Sequence, residues 1–332
     1  MNSGSDVSVV VQGPVSGRPD DPPERQLTRR VLAQVRQLWP AAEIILSTWR
    51  GAVTEGLDFN ELVTSDDPGA IPLNDHALQR TNNNLNRQIV STRHGLARAT
   101  RPYAVKLRTD CLLQRAIDFG ELNHGPRHPK WSIFEKPVLT LNLHTVHPLR
   151  RPVLFFISDI FHAGLRSDLL SLWSIPLVEE PGFTRAIDPQ HRPLVNAFPE
   201  GDYLMRCAPE QYVGEQLSRH LAPDLHLQHF SDGSPAQLFL WLRVLSSNFR
   251  LFTFDELALT PPAHIAANMR SFDLFQPADR AWLEKWTRPS VPTGARAFAA
   301  LRFRLLQLAY RSRPQPRPRW RRALGALVRT TT

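Results

Sequence analysis

Apolar positions divide the chain into short strand-like runs and longer helical stretches. Val7 to Val11 is apolar apart from Ser8 and stops at Gln12-Gly13-Pro14, which predicts a buried strand delivered into a turn. Val15 to Glu24 is rich in Pro, Gly and Asp and reads as a loop. From Thr28, a residue suited to an N-cap, Val31, Leu32, Val35 and Leu38 recur at helical spacing until Pro40. Ala42 to Thr48 predicts a second strand running into Trp49-Arg50-Gly51. Strand, helix and strand in this order make a βαβ unit with parallel strands.

A third strand is expected at Glu61 to Thr64, ending in Ser65-Asp66-Asp67-Pro68-Gly69. The polar run Asn82 to Gln88 leads into a helix carrying Ile89, Thr92, Leu96 and Ala99. The stretch Tyr103-Ala104-Val105-Lys106-Leu107-Arg108-Thr109-Asp110 then has the length and β-branched content of a buried strand, closed by a carboxylate. The two-residue strand period puts Lys106 and Arg108 on the side of Asp110. Gln12, Ser47 with Thr48, Asp66 with Asp67, and Asp110 thus converge on the carboxyl edge of one sheet, where open α/β sheets bind ligands. An acid among basic residues there suits a metal ion and phosphate oxygens; the plainer alternative is an ordinary strand closed by a turn aspartate.

Beyond Cys111 the pattern turns mixed. Val138 to Val146 alternates as an antiparallel strand would, with Leu139, Leu141 and Leu143 on one face. Val153 to Ile157 is another apolar run, closing at Ser158-Asp159-Ile160-Phe161-His162-Ala163-Gly164. Arg166 to Trp173 reads as a short helix. A loop-rich stretch with Pro176, Pro181, Pro189 and Pro193 precedes a helix from Pro209-Glu210-Gln211-Tyr212 to about His220, and Phe239 to Leu245 is again helical. His144 with His147, and His226 with His229, have ligand-like spacing. The first pair falls on opposite faces of the predicted strand and the second has no cysteine or acidic triad nearby, so neither reads as a zinc site. Cys111 reads as a small buried residue. No G-x-S-x-G or Walker-type motif occurs, which leaves serine-hydrolase and P-loop chemistry without support.

Length and charge refine this picture. A chain of 332 residues suffices for one large or two small domains, and no apolar run is long enough for a transmembrane helix. The N-terminus has no basic flank of a signal peptide, and two cysteines cannot make a disulfide framework, so a reducing, cytoplasmic setting is expected. The net charge of +9 is uneven: after Glu284 there are Lys285, eleven arginines and no acid, whereas up to that point 28 basic residues face 31 acidic ones, a balance of −3. A basic nucleic-acid-binding body is disfavoured, and the partner of the positive charge belongs at the C-terminus.

That tail predicts an amphipathic helix with Phe298, Leu301, Leu305 and Leu308 on one face and Arg296, Arg304, Gln307 and Arg311 on the other. Arg313 to Arg322, broken by prolines, is expected to be extended, with a short final helix near Ala323 to Val328. Two surfaces satisfy such a helix: an anionic membrane, or the body of the protein receiving its apolar face.

The ordered set of motifs resembles the WavE family of lipopolysaccharide-synthesis proteins and, more distantly, nucleotide-sugar glycosyltransferases of the GT-A fold. The residues that carry it are Val9-Val10-Val11-Gln12-Gly13-Pro14, Glu43 to Trp49, Asp67-Pro68-Gly69, Asn86-Arg87-Gln88, Lys106 to Asp110, Ser158-Asp159 with Phe161-His162-Ala163-Gly164, and Glu210-Gln211-Tyr212. They span about positions 7 to 220, leaving the basic tail outside. The resemblance implies a GT-A-like (Rossmann-like) α/β sheet flanked by helices, in a catalytic domain over 1–255 with a nucleotide-sugar half to about 115 and an acceptor half after it. Residues 256–332 would form a helical, Arg-rich extension. The implied activity is transfer of a sugar from a nucleotide-activated donor to a lipopolysaccharide core or another lipid-linked bacterial surface glycan, by a cytoplasmic protein peripheral on the inner face of the membrane.

Carried over by motif, Gln12, Gly13, Pro14, Thr48, Trp49, Asp67, Arg87, Lys106 and Arg108 would bind the nucleotide-sugar. Asp110 would meet a divalent metal, Mg²⁺ or Mn²⁺, and Glu210 or, second, Asp159 would be the catalytic base. This chain departs from the GT-A pattern in two places. Arg108-Thr109-Asp110 keeps only one carboxylate of the Asp-x-Asp signature, so that Arg108 could partly replace a cation at the diphosphate. Pro209-Glu210-Gln211-Tyr212 likewise keeps one acid of a pair. The missing carboxylates leave open a noncatalytic nucleotide-sugar-binding or scaffold protein, and the Arg-rich tail leaves open RNA binding, although no aromatic RNP-like motif accompanies it.

Overall fold

The computed structural model describes residues 4–74, 80–179, 207–228, 232–260 and 273–311. Pro181, Pro189, Pro193, His229, the stretch Arg313 to Arg322 and the final helix expected near Ala323 to Val328 lie outside these residues. In chain order the first half contains β1 (Val7–Gln12), α1 (Leu27–Leu38), β2 (Glu43–Trp49), β3 (Glu61–Ser65), the hairpin β4 (Ile71–Asn74) and β5 (Arg80–Asn83), α2 (Leu85–Arg98) and β6 (Tyr103–Arg108). The second half contains β7 (Leu112–Leu113), β8 (Val138–Leu141), β9 (His162–Leu165), α3 (Arg166–Trp173), α4 (Pro209–Ser218), α5 (Pro235–Asn248), β10 (Phe249–Phe252), α6 (Phe254–Leu257), β11 (Leu259–Thr260), α7 (Arg280–Glu284) and α8 (Thr293–Arg311).

A seven-stranded sheet runs in the order β10-β8-β9-β6-β1-β2-β3. β3, β2, β1 and β6 are mutually parallel, as are β8 and β10, while β9 is antiparallel to both of its neighbours. The near-continuous apolar runs of β1 and β2 reflect burial on both faces. Val7, Val9, Val11, Ile44 and Leu46 pack with Val31, Leu32 and Val35 of α1 on one side. Val10 and Ile45 pack with Ile89 and Leu96 of α2 on the other. A single strand thus feeds two cores by the alternation of its side chains.

Several expectations change against this frame. Thr28 lies inside α1, whose N-cap position is Gln26. Its hydroxyl instead accepts the Ser16 N–H at 2.8 Å, fastening the Pro/Gly loop to the helix. The strand expected from Val138 to Val146 stops at Leu141, and His144 beyond it takes the left-handed backbone conformation (φ 61°), after which Val146 makes an isolated antiparallel bridge with Leu274. Val153 to Ile157 is buried as its apolarity demands but joins no strand; Phe155 also has positive φ (64°). α5 is longer than expected because Ser234 caps it, accepting the Gln237 N–H, with Pro235 in its first turn.

The C-terminal helix α8 docks through a face other than the predicted apolar one. Ala299, Phe303 and Gln307 are buried: Ala299 permits close approach, Phe303 joins the main core and Gln307 donates to the Gly233 carbonyl at 3.0 Å. Phe298, Leu301, Leu305 and Leu308 on the opposite side remain 55–60% exposed. Gln307, expected on the polar outer face, is therefore part of the docking seam. No helix among the described residues is long and apolar enough to cross a membrane.

Candidate functional site

The carboxyl ends of β1, β2 and β6 meet where the chain order reverses around β1, the topological position at which α/β sheets open a crevice. A cavity of ≈ 390 Å³ lies there. Its floor is the turn Gln12-Gly13-Pro14. Gly13 takes φ 123° so that its N–H reaches the Ser47 carbonyl at 3.0 Å, a conformation that a residue with a Cβ rarely adopts. The Thr109 hydroxyl donates to the Pro14 carbonyl at 2.7 Å and the Thr109 N–H to the Gln12 carbonyl at 3.0 Å, locking the turns after β1 and β6 together. Trp49 comes from the end of β2, Asp67 from the loop after β3, and Asn84, Arg87, Gln88 and Ser91 from the first half of α2.

Two arginine–carboxylate forks stand in the cavity wall. Arg87 reaches both oxygens of Asp67, Nε to Oδ1 at 2.7 Å and an η-nitrogen to Oδ2 at 2.6 Å, and contacts Asn84 Oδ1 at 3.0 Å. The pairing holds Asp67 below the usual carboxylate range. Arg108 spans both oxygens of Asp110 at 2.7 Å each. Burial alone would lower the Arg108 pKa, but the hydrogen bonds and charge of Asp110 carry it upward, so it stays cationic. Ser91 donates to Gln12 Oε1 at 2.6 Å, orienting that amide from the helix side.

Of the sequence-predicted nucleotide residues, Gln12, Gly13, Pro14, Trp49, Asp67, Arg87 and Arg108 line this cavity, as does Asp110. Thr48 and Lys106 do not. Thr48 alternates to the opposite side of β2 from Trp49 and is fully buried. Lys106 is fully buried too, its ammonium donating to the main-chain carbonyls of Asp159 and, at 3.5 Å, Ile160, and lying 4.8 Å from the Trp173 ring centre. Burial pushes Lys106 down to about 8, with Asp159 opposing the fall. Asn84, Gln88, Ser91 and Thr109 are lining residues that the strand-end reasoning missed. They sit at a helix start and one residue past a strand, where alternation gives no signal.

Asp110 was expected to hold a divalent metal. Both of its carboxylate oxygens are engaged by the Arg108 guanidinium, one N–H to each, so that in this arrangement Asp110 also fixes the Arg108 plane. Cys111 beside it is buried with its thiol pushed up to about 12, chiefly by burial, which removes it as a nucleophile.

Behind Gln88 the two acids proposed as base come together with a third residue. Asp159, 5% exposed, lies in the loop before β9, Glu210 in the first turn of α4 and His144 in the loop after β8. One ligand-type atom from each lies within 4.8 Å of the others, and His144 Nδ1 is 2.8 Å from Glu210 Oε1. Burial would raise the Asp159 pKa, but Lys106, then His144 and Arg108, and a hydrogen bond from Gln88 overcome it, so Asp159 remains ionised. His144 therefore takes part in a cluster, contrary to its dismissal with His147 as strand residues on opposite faces. Its neighbour His147 goes elsewhere, stacked against Phe275 and Trp282 with centroids at 4.6 and 4.7 Å. The signal for His144 was absent from spacing because its left-handed backbone, not a strand period, aims the ring.

The family model described as WavE lipopolysaccharide synthesis matches residues 7–312, extending the match past the expected limit near 220 and into α8. No curated protein matches the chain. Among solved structures, the chain is similar to 4-diphosphocytidyl-2C-methyl-D-erythritol synthase from Anaerococcus prevotii at 12% identity and TM-score 0.29, over 53% of this chain and 81% of that one. It is also similar to HddC from Yersinia pseudotuberculosis complexed with GMP-PN, at 9% identity and TM-score 0.27, over 52% of this chain and 80% of that one.

Proposed function

The chain belongs to the WavE lipopolysaccharide-synthesis family, and from that premise we propose that it is a glycosyltransferase moving a sugar from a nucleoside diphosphate donor to a lipid-linked bacterial surface glycan. The observation that carries this reading is the ≈ 390 Å³ cavity at the carboxyl edge of the parallel strands, walled by Arg87 and Arg108. In glycosyl transfer the bond between the anomeric carbon and the diphosphate oxygen breaks as the acceptor oxygen bonds that carbon and loses its proton. The diphosphate leaves with added negative charge. Arg87 and Arg108, each held in a planar fork that leaves further N–H donors unspent, are oriented before the reaction and stabilise that charge. Asp67 and Asp110 serve as the partners that fix the two guanidinium planes. Gln12, oriented by Ser91, and Trp49 meet the nucleoside.

The acceptor's proton goes to the cluster behind Gln88, where Glu210 is the base and the ionised, more deeply buried Asp159 supports it. A lipid-linked acceptor is presented at a bilayer surface. The outward apolar stripe of α8 and the surplus of arginines after Glu284 support peripheral attachment to an anionic membrane.

Calorimetric titration of the full chain with UDP, GDP and CMP tests the donor site. UDP or GDP is expected to bind, and Arg87→Ala to weaken it at least tenfold; binding of neither, or of CMP alone, overturns the reading.

A further inference from the structure

The fold brings His144, Asp159 and Glu210 together from three separate segments, each tied down by its own contacts. The Thr145 hydroxyl accepts the Ser158 N–H at 3.1 Å, joining the loop of His144 to that of Asp159. The Ile157 N–H donates to the Glu210 carbonyl at 3.4 Å, joining the same loop to the start of α4. Gly214, one turn further along α4, lies against the Phe155 carbonyl so closely that a Cβ there would stand 2.0 Å from it. The three ligand-type atoms, mutually within 4.8 Å, are thus held by the packing of loops and helix.

Lys106, His144 and Arg108 supply the positive charge that acts on Asp159, and His144 lies against Glu210. Among the described residues no lysine or arginine side chain forms an ion pair with Asp159 or Glu210. The Lys106 ammonium donates to main-chain carbonyls and the Arg108 guanidinium to Asp110. Two carboxylate oxygens and one imidazole nitrogen are thus brought to one place as a set of cation ligands.

We propose that His144, Asp159 and Glu210 form a binding site for one divalent transition-metal ion, Mn²⁺ or Zn²⁺, separate from the arginine-walled cavity. One imidazole nitrogen and two carboxylate oxygens suit these ions better than Mg²⁺ or Ca²⁺, which prefer oxygen alone. Three protein ligands leave coordination positions open, the arrangement of a metal site that takes a water or a hydroxyl. His144, with 31% of its side chain exposed, marks the open side, whereas Asp159 closes the inner side. If only one oxygen of Glu210 meets the ion, the other remains to take a proton from a hydroxyl bound there. The ion-binding claim stands whether or not the cavity accepts a sugar nucleotide, because it is read with no nucleotide present.

The test is titration of metal-stripped full-length protein with Mn²⁺ followed by electron paramagnetic resonance, and with Zn²⁺ followed by calorimetry. Wild type, His144→Ala, Glu210→Gln and Asp110→Asn are compared, with thermal melting as the check on folding. One equivalent is expected to bind the wild type and Asp110→Asn alike. Affinity should fall at least about tenfold in His144→Ala and in the near-isosteric Glu210→Gln, since even outer partners of a metal site are worth about 10–100-fold. Absence of binding to the wild type, equal binding by the His144 and Glu210 variants, or loss confined to Asp110→Asn would each overturn the proposal.

Discussion

The two readings of Asp110, metal ligand or holder of Arg108, separate in a double-mutant cycle. Arg108 bonds both Asp110 oxygens at 2.7 Å, so under the holder reading a donor diphosphate would meet the guanidinium rather than the carboxylate. Removing Arg108 deletes a charge-assisted hydrogen bond, worth about 1.5–3 kcal/mol, or about 10–150-fold in affinity. Arg108→Ala should weaken nucleoside diphosphate binding by that factor. Asp110→Asn has opposed effects: it loosens Arg108 but removes a negative charge beside the phosphates, so its net effect should stay below about tenfold. In the double variant Asp110→Asn should cost nothing further, or recover affinity, because the guanidinium it holds is gone. Isothermal titration with the nucleotide that binds the wild type, in the presence and absence of EDTA, reads all four corners of the cycle. A loss from Asp110→Asn equal to or larger than that from Arg108→Ala, together with abolition of wild-type binding by EDTA, would refute this reasoning and restore the carboxylate as a metal ligand.

Three further outcomes follow from the packing. Phe298, Leu301, Leu305 and Leu308 are about half exposed, so entering a bilayer should gain each about 1 kcal/mol; Leu301→Asp with Leu305→Asp should weaken sedimentation with anionic vesicles by roughly 30-fold without lowering the melting temperature, and unchanged sedimentation would rule out the helix as the anchor. Lys106, depressed to about 8 from 10.5, binds fewer protons folded than unfolded between those values, so its burial costs about 3 kcal/mol below pH 8 and that cost fades as pH rises to 10.5. The stability difference between wild type and Lys106→Met in urea should therefore shift toward wild type from pH 7.5 to pH 9.5, and a pH-independent difference would mean that Lys106 titrates normally. Gly214→Ala should cost about 1–3 kcal/mol in denaturant midpoint, because its methyl group must push aside the Phe155 carbonyl; an unchanged midpoint would show that the contact yields freely.

How much of this was legible beforehand depends on whether a residue's direction follows from the period of its element. Gln12, Trp49, Arg108 and their neighbours were legible because alternation in a doubly buried strand sends successive side chains to known faces, and the carboxyl end of such a strand is a fixed place in the fold. The same rule explains why Thr48 fell outside: the cavity takes Trp49, so the adjacent residue must face away. His144 escaped because a non-glycine residue in left-handed conformation belongs to no period, and its meeting with Asp159 and Glu210 is set by loops that Phe155, also left-handed, bends. In α8 the period was read correctly and its meaning was not. A stripe of Phe298, Leu301, Leu305 and Leu308 says only that these side chains share a face. That Ala299, Phe303 and Gln307 form the seam depends on what the body presents: a hydrophobic recess for Phe303 and the Gly233 carbonyl for Gln307. Helical amphipathicity identifies two candidate surfaces, and only the shape and hydrogen-bonding needs of the partner decide which is turned inward. Because the buried seam is satisfied by a polar Gln307, the four large apolar side chains left outside are not required for docking, which makes a second surface their simplest physical explanation.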